Sequence, residues 1–402
     1  MAGPLDGIKV VEITVFQQGP VAGMRLGDLG AEVIKVEPKT GDPARGFMRI
    51  IGVDTGLKGR NYYFESNNRN KRSIALDLKA EKGKELFFEL IKQADVFVTN
   101  MSIEAPERMG IDYQTLSAIN PRLIYAHASG WGRKGPDAND LSFDYTGLGR
   151  AGTMMMCGER DGPPGNLVPG MGDEVGGLMC AWGVTAALYA REKTGKGQLI
   201  DSSLLGSLIA LEGVNFASSA IIGQDFPRRQ REKAGNPLDN HYKCKDDRWI
   251  VLAHLQPDRY WPTVCKAMGL EELIDDPRSN NLDARRDNAA EVVSIMDKKF
   301  ATKTRDEWIK IFKKHGVIHT PIQTPSEVIN DTQVLANDYI TKFDHPVWGQ
   351  IKMLGFPWSF QETPASIRRE APILGQHTEE ILLELGYSWD DITKLKEEEV
   401  II

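Results

Sequence analysis

Asp173 lies in Met171-Gly172-Asp173-Glu174-Val175-Gly176-Gly177, an acidic pair set among glycines where a helical pattern begins. A carboxylate in that place has two uses. It can cap the helix by accepting from its first N–H groups, worth roughly 1 kcal/mol, or it can attack an activated carbonyl as a nucleophile. Position alone leaves both open. They are compatible, because helix-start N–H groups favour an ionised carboxylate and an adjacent oxyanion. Gly172, Gly176 and Gly177 would let a substrate come close to the backbone.

Other chemistries lack their residues. A dinucleotide site needs G-x-G-x-x-G after the first strand, but here that strand runs into Thr14-Val15-Phe16-Gln17-Gln18-Gly19-Pro20. Thr194-Gly195-Lys196-Gly197 lacks the preceding glycine and following hydroxyl of a P-loop and reads as a basic turn closing a helix. G-x-S-x-G is absent, so a hydrolase serine has no platform. Cys157, Cys180, Cys244 and Cys265 form no C-x-x-C, and the histidines form no H-x-x-x-H. Neither a disulfide framework nor a metal site is expected.

The elements that must carry Asp173 follow from periodicity. Short β-branched runs at Ile8–Glu12, Glu32–Glu37, Arg72–Leu78, Asp95–Thr99, Arg122–Ser129 and Gln198–Ser203 alternate with helical stretches. The helical stretches include Val21–Leu29, Ala80–Ala94 and Asp173–Arg191. That alternation predicts an α/β fold with a parallel, Rossmann-like sheet. Composition changes near residue 225, and a smaller inserted domain is expected over about 225–320. Residues 1–220 and 325–402 would make the large domain.

Lys and Arg number 49 against 56 Asp and Glu, a net charge of −7 that disfavours general nucleic-acid binding. No stretch approaches 18 uninterrupted apolar residues and no secretory signal is visible, so no membrane span is expected and the chain reads as cytoplasmic.

An ordered set of segments is far more specific. PLDGIKVVE at 4–12, QGP at 18–20, LGAEVIKVE at 29–37 and NKRSIALD at 70–77 are followed by MGDEVGG at 171–177, REKTGKGQ at 191–198 and LGQHTEEIL at 374–382. Together they resemble the class III CoA-transferases, the formyl-CoA and carnitine CoA-transferase type, over essentially the whole chain. The resemblance implies a large Rossmann-like domain built from both chain ends, a small inserted domain, and two ring-shaped chains interlocked as a homodimer. A heteromeric partner stays open. It implies movement of CoA between an acyl-CoA donor and a carboxylic acid through an aspartyl anhydride and an aspartyl-CoA thioester, with Asp173 as the aspartate. No cofactor beyond CoA itself is implied.

Other positions carry over residue by residue. Gln17 matches a residue near the acyl group, and Asp144 an acidic position that would orient an acid or a water. Leu76, Lys79, Asn100, Met101 and Arg108 match CoA contacts. Phe16 and Gln18 would shape the acid pocket, with Met154-Met155-Met156 either lining it or packing in the core. Aryl or branched dicarboxylic or hydroxy acids are the expected acceptors, with succinyl-CoA or acetyl-CoA as donor. Two departures stand out: Pro38 replaces a frequent arginine and Leu141 stands near a family lysine, for which Lys35, Arg45 or Lys134 would have to compensate. The same superfamily holds α-methylacyl-CoA racemases, the alternative reading. Those need a second base, but Phe143 occupies its histidine position and Gln256 replaces a further glutamate. Retention of Asp173 also argues against a non-catalytic scaffold.

Overall fold

Val10, Val11, Val33, Ile34, Val36, Ile74, Val96, Phe97, Val98 and Ile124 are all buried in strands too short and apolar to face water on either side. In the computed structural model, which describes residues 3–53, 60–225 and 227–402, these strands form one sheet. They are β1 (Lys9–Ile13), β2 (Glu32–Glu37), β3 (Lys71–Ala75), β4 (Val96–Thr99), β5 (Ile124–His127) and β6 (Gln198–Asp201). All pair in parallel, in the order β3-β2-β1-β4-β5-β6. The expected α/β class is met, and the strand order is the Rossmann one. The order reverses between β1 and β4, and sheets of this kind bind ligands beyond the C-terminal strand ends at that reversal.

The period-two alternation of the strands divides two cores. On one face Val11, Ile34, Ile74, Phe97 and Tyr125 pack with Leu86, Phe87 and Leu90, and with Ile381, Leu382 and Leu395 near the C-terminal end. On the other, Val10, Val33, Val98 and Ile124 pack with α1 and α5 through Ala22, Leu26, Cys180 and Val184. The helices used below are α1 (Gln18–Asp28), α2 (Tyr62–Asn68), α3 (Glu81–Gln93), α4 (Asp144–Arg150), α5 (Met171–Thr194), α6 (Leu204–Leu211) and α7 (Gly213–Ile222).

Two compact units are present. The first comprises Met1–Met154, Asn166–Phe226 and Asp338–Ile402, as far as these are described. Its C-terminal segment is tied back where Leu76 bridges to Ile401 and Arg368 donates to the Gly27, Gly30 and Ala31 carbonyls beneath α1. The second comprises Met155–Gly165 and Pro227–Asn337. It holds an antiparallel sheet of β7 (Asp239–Lys243), β8 (Trp249–Ala253) and β9 (His319–Ile322) over a core of Tyr242, Trp261, Phe300, Trp308 and Phe312. Residues 325–337, grouped with the large domain in the sequence analysis, belong to this second unit, and so do residues 155–165. Arg228 holds them by donating to the Arg160, Gly162 and Pro163 carbonyls, a long-range tie that composition does not reveal.

Within the main sheet three strands bring charge into the interior. Glu12 of β1 is paired in register with Lys35 of β2 and accepts from Lys71 of β3 at 2.8 Å. All three are wholly buried. Burial pushes the Lys71 amine down to about 8, against the pull of Glu12.

Candidate active site

The loop that leaves β1 is fixed residue by residue at the C-terminal edge of the sheet. Lys35 donates to the Thr14 carbonyl at 2.7 Å. Asn100, just past β4, pairs its amide with both the N–H and the carbonyl of Val15, each at 2.9 Å. Asp42, itself paired with Lys35 at 3.0 Å, accepts from the Phe16 N–H at 3.2 Å. Those clamps hold Phe16 at φ +58°, a left-handed conformation that costs a bulky residue of order 1 kcal/mol and persists only where surroundings impose it. Gln17 follows with its amide aimed at α5. It donates to the Gly170 carbonyl (3.3 Å) and to Glu174 (3.4 Å), and accepts from the Tyr63 hydroxyl at 3.3 Å.

The start of α5 is capped from outside. Gly170 occupies the cap at φ +84°, with no side chain to offer, and a Cβ there would lie 2.6 Å from the Gln17 amide oxygen. Asp144, the first residue of α4, supplies the missing acceptor. Its carboxylate receives the N–H groups of Gly170 (2.9 Å), Gly172 (2.7 Å) and Asp173 (3.2 Å). The sequence expectation is corrected on two counts. Asp173 is the third helical residue and not the cap, and the helix-start N–H groups serve Asp144, so they are not available to Asp173 or to an oxyanion. Asp144 is likewise committed to the helix and does not hold an acid or a water with those oxygens.

Among the described residues nothing donates to the Asp173 carboxylate. Burial first, then the Asp144 and Glu174 charges, push it up to about 7. Glu174, in turn, is drawn toward Arg25 at 3.6 Å, which also faces Asp28 at 3.6 Å. Gly176 and Gly177 have a different use from the one expected. Cβ atoms there would meet Gln18 (2.8 Å) and Val21 (2.6 Å), so these positions let α1 cross against α5. Their faces are filled by protein and are closed to a substrate.

The remaining expected positions divide. Gln18 is only 6% exposed and donates to the Ser129 and Ser202 carbonyls, both at 3.4 Å, so it braces α1 against the ends of β5 and β6 and does not line an acid pocket. Leu76 is 1% exposed within the sheet's core, which removes it from contact with adenine. Asn100 spends its amide on Val15. Met101, half-buried beyond β4, packs against the sheet's core while its carbonyl meets His127 at 2.9 Å. Lys79 is exposed after β3, and Arg108 is exposed with Glu104 at 3.3 Å. Of the compensating cations, Lys35 is buried in its pairing and Arg45 is held by Glu37 and the Pro372 carbonyl, whereas Lys134 is exposed. Met154 packs with Leu148 and Leu204 and belongs to a core.

A Rossmann-order sheet thus carries, at its C-terminal edge, a carboxylate with no donor among the described residues. Residues 5–378 match the profile of CoA-transferase family III. The chain is 34% identical over 401 residues to the (R)-2-hydroxy-4-methylpentanoate CoA-transferase of Clostridioides difficile, covering 99% of each. It is also 34% identical to the succinyl-CoA:glutarate CoA-transferase of Mus musculus, covering 98% of this chain and 89% of that one. A solved CAIB/BAIF family protein from Brucella suis superposes with a TM-score of 0.87 at 30% identity, over 96% of this chain and all of the other. The chain therefore belongs to CoA-transferase family III and is an enzyme of that class, acting on CoA thioesters.

Proposed function

We propose that the enzyme moves CoA between two carboxylic acids by way of Asp173. The observation that carries the reading is the Asp173 carboxylate itself: half-buried, with no donor among the described residues, in the first turn of α5 where Gln17 bonds the Gly170 carbonyl. A carboxylate oxygen attacks the donor thioester carbonyl, the C–S bond breaks, and CoA leaves as thiolate, giving an acyl-aspartyl anhydride. The thiolate attacks the aspartyl carbonyl, releasing the donor acid and leaving an aspartyl-CoA thioester. The acceptor carboxylate attacks that thioester and expels the thiolate. The thiolate then attacks the acceptor's acyl carbon, and Asp173 returns as carboxylate. No proton is gained or lost, and no other reactant is consumed. Gln17, whose hydrogen bonds to Gly170 and Glu174 are long, can turn its N–H toward the tetrahedral oxyanion. Lys79, Met101, Arg108 and Lys134 supply the CoA side of the site, where charge suits the phosphates and remote binding energy holds the thioester in place.

The cycle makes an isotopic prediction. Acceptor acid labelled with oxygen-18 in its carboxylate leaves one label on Asp173, and donor acid released over the following turnovers carries it away whenever the labelled oxygen is the one that attacks. Release of donor acid free of label through many turnovers would exclude the anhydride route.

The nucleophile must be ionised, and its carboxyl sits at about 7 in the free enzyme. The ratio kcat/KM is expected to fall tenfold per unit as pH drops below about 7. Asp144→Asn removes one of the like charges that raise Asp173, so this acid limb moves to lower pH. The same change weakens the cap on α5 and costs about 1–2 kcal/mol in denaturant unfolding. A limb that stays in place would show that Asp144 does not act on Asp173.

The racemase alternative is disfavoured because Phe143 cannot carry a proton. A homodimer fits the surface of α5–α7. Helix α7 buries none of its residues within this chain, although it carries Val214, Phe216, Ile221 and Ile222. Trp182 and Tyr189 on α5 are 69% and 66% exposed. Apolar surface of that extent calls for a second copy, and interlocking is the family's expected way to provide it. Among the described residues no single helix is long and apolar enough to cross a membrane. The expectation of a cytoplasmic enzyme accompanies this reading.

A further inference from the structure

The two residues that bracket the reacting carboxylate each bring an aromatic ring with them. Phe16 precedes Gln17, and Phe143 precedes Asp144. Their rings meet edge to face with centroids 6.4 Å apart. Phe16 continues to Phe47 at 6.1 Å, and Phe47 to Tyr63 at 4.7 Å, whose hydroxyl is bonded to Gln17. A row of four rings thus runs beside Gln17 and Asp144. Phe143, at its outer end, is 60% exposed. The strained backbone of Phe16 shows that the fold spends conformational energy to keep that ring where it is.

Acidic groups predominate in the same place. Tyr63 feels Asp173, Asp42, Asp144 and Glu174, and Asp173 feels Asp144 and Glu174. Two cations among them are already engaged, Arg25 between Asp28 and Glu174 and Lys35 with Asp42. A second carboxylate on the substrate would therefore meet repulsion from these acids, whereas an apolar body would meet rings.

Given Asp173 as the acyl-carrying residue, we propose that the acid bound here is a monocarboxylic acid with an aromatic or branched apolar body, and that Phe143 is the residue that sets this preference. Dicarboxylic acids are excluded from the expected acceptors.

Binding can be read without turnover in the full-length Asp173→Ala protein saturated with CoA, by calorimetric titration with 3-phenylpropanoate, 4-methylpentanoate, acetate and succinate. The aryl and branched acids should bind at least about tenfold more tightly than acetate or succinate, a ratio typical of a filled apolar pocket. Adding Phe143→Ala should remove about that factor for 3-phenylpropanoate and leave acetate unchanged. Phe143→Leu should restore the branched acid more than the aryl one. Succinate binding as tightly as 3-phenylpropanoate, equal weakening of all four acids, no acid binding at all, or loss of the dimer mass on Phe143→Ala would each overturn the proposal. Because these titrations use no covalent step, their failure is separate from failure of the anhydride reading, which the isotope experiment decides.

Discussion

Asp173→Ala is expected to lower CoA transfer by at least about 10⁴-fold, the scale seen when a covalent nucleophile is removed, while the protein stays folded and binds CoA. It should also become slightly more stable above neutral pH. The sign follows from proton linkage. The Asp173 carboxyl is raised from 3.8 to about 7 on folding. Between about pH 4 and 7 the unfolded chain has released this proton and the folded chain has not, so stability falls as pH rises through that window. Above 7 the folded protein carries a half-buried carboxylate beside Asp144 and Glu174, and alanine relieves it. Half-exposure and solvent screening keep the gain small, about 2–4 °C in melting temperature at pH 8. A variant that melts lower at pH 8 than the parent would mean that Asp173 stabilises the fold, in conflict with its lack of a donor.

The second large effect is on stability. Glu12→Ala should cost about 3–5 kcal/mol, the range for removing one partner of a buried charge cluster, or roughly 10 °C. Glu12 takes Lys71 at 2.8 Å and the Thr14 hydroxyl at 3.0 Å, and lies 3.5 Å from Lys35. Lys35 retains Asp42 after the change, but Lys71 keeps only the Pro20 carbonyl and Asn68. Its amine then stays charged in an apolar interior or gives up its proton, and both are costly. Since the folded value of Lys71 already lies below 10.5, at about 8, the folded state sheds this proton before the unfolded one does. Stability in the variant should therefore rise with pH over a wider window than in the parent. Chemical denaturation at pH 7 and 9 reads both the loss and its slope. A loss under about 1 kcal/mol would mean that water enters and solvates the cluster.

Much of this was legible in the sequence, and the exceptions share a cause. The strands announce themselves through β-branched runs, and their alternation with helices requires a parallel sheet. Asp173 stands out because its glycine-rich acidic segment occurs in an ordered series with others. Asp144, by contrast, looks like a loop aspartate. Its function as the cap of α5 depends on N–H groups 26 to 29 residues away. Asn100 reads as a ligand contact because nothing local shows that its amide closes on Val15, 85 residues earlier. Leu76 is apolar in either role, and only its burial under the C-terminal segment shows that it is core. The aromatic row has the same character: Phe16, Phe47, Tyr63 and Phe143 have no common spacing and meet only when the loop after β1, the short helix Phe47–Ile50, α2 and the start of α4 converge.

The most direct measurement is peptide mass spectrometry after incubation with an acyl-CoA panel and hydroxylamine, with Asp173→Ala as control. Trapping a hydroxamate on Asp173, absent from the control and dependent on acyl-CoA, is the predicted result. An unmodified Asp173 in protein that turns over the same thioesters, or that exchanges α-deuterium into them, would contradict the account.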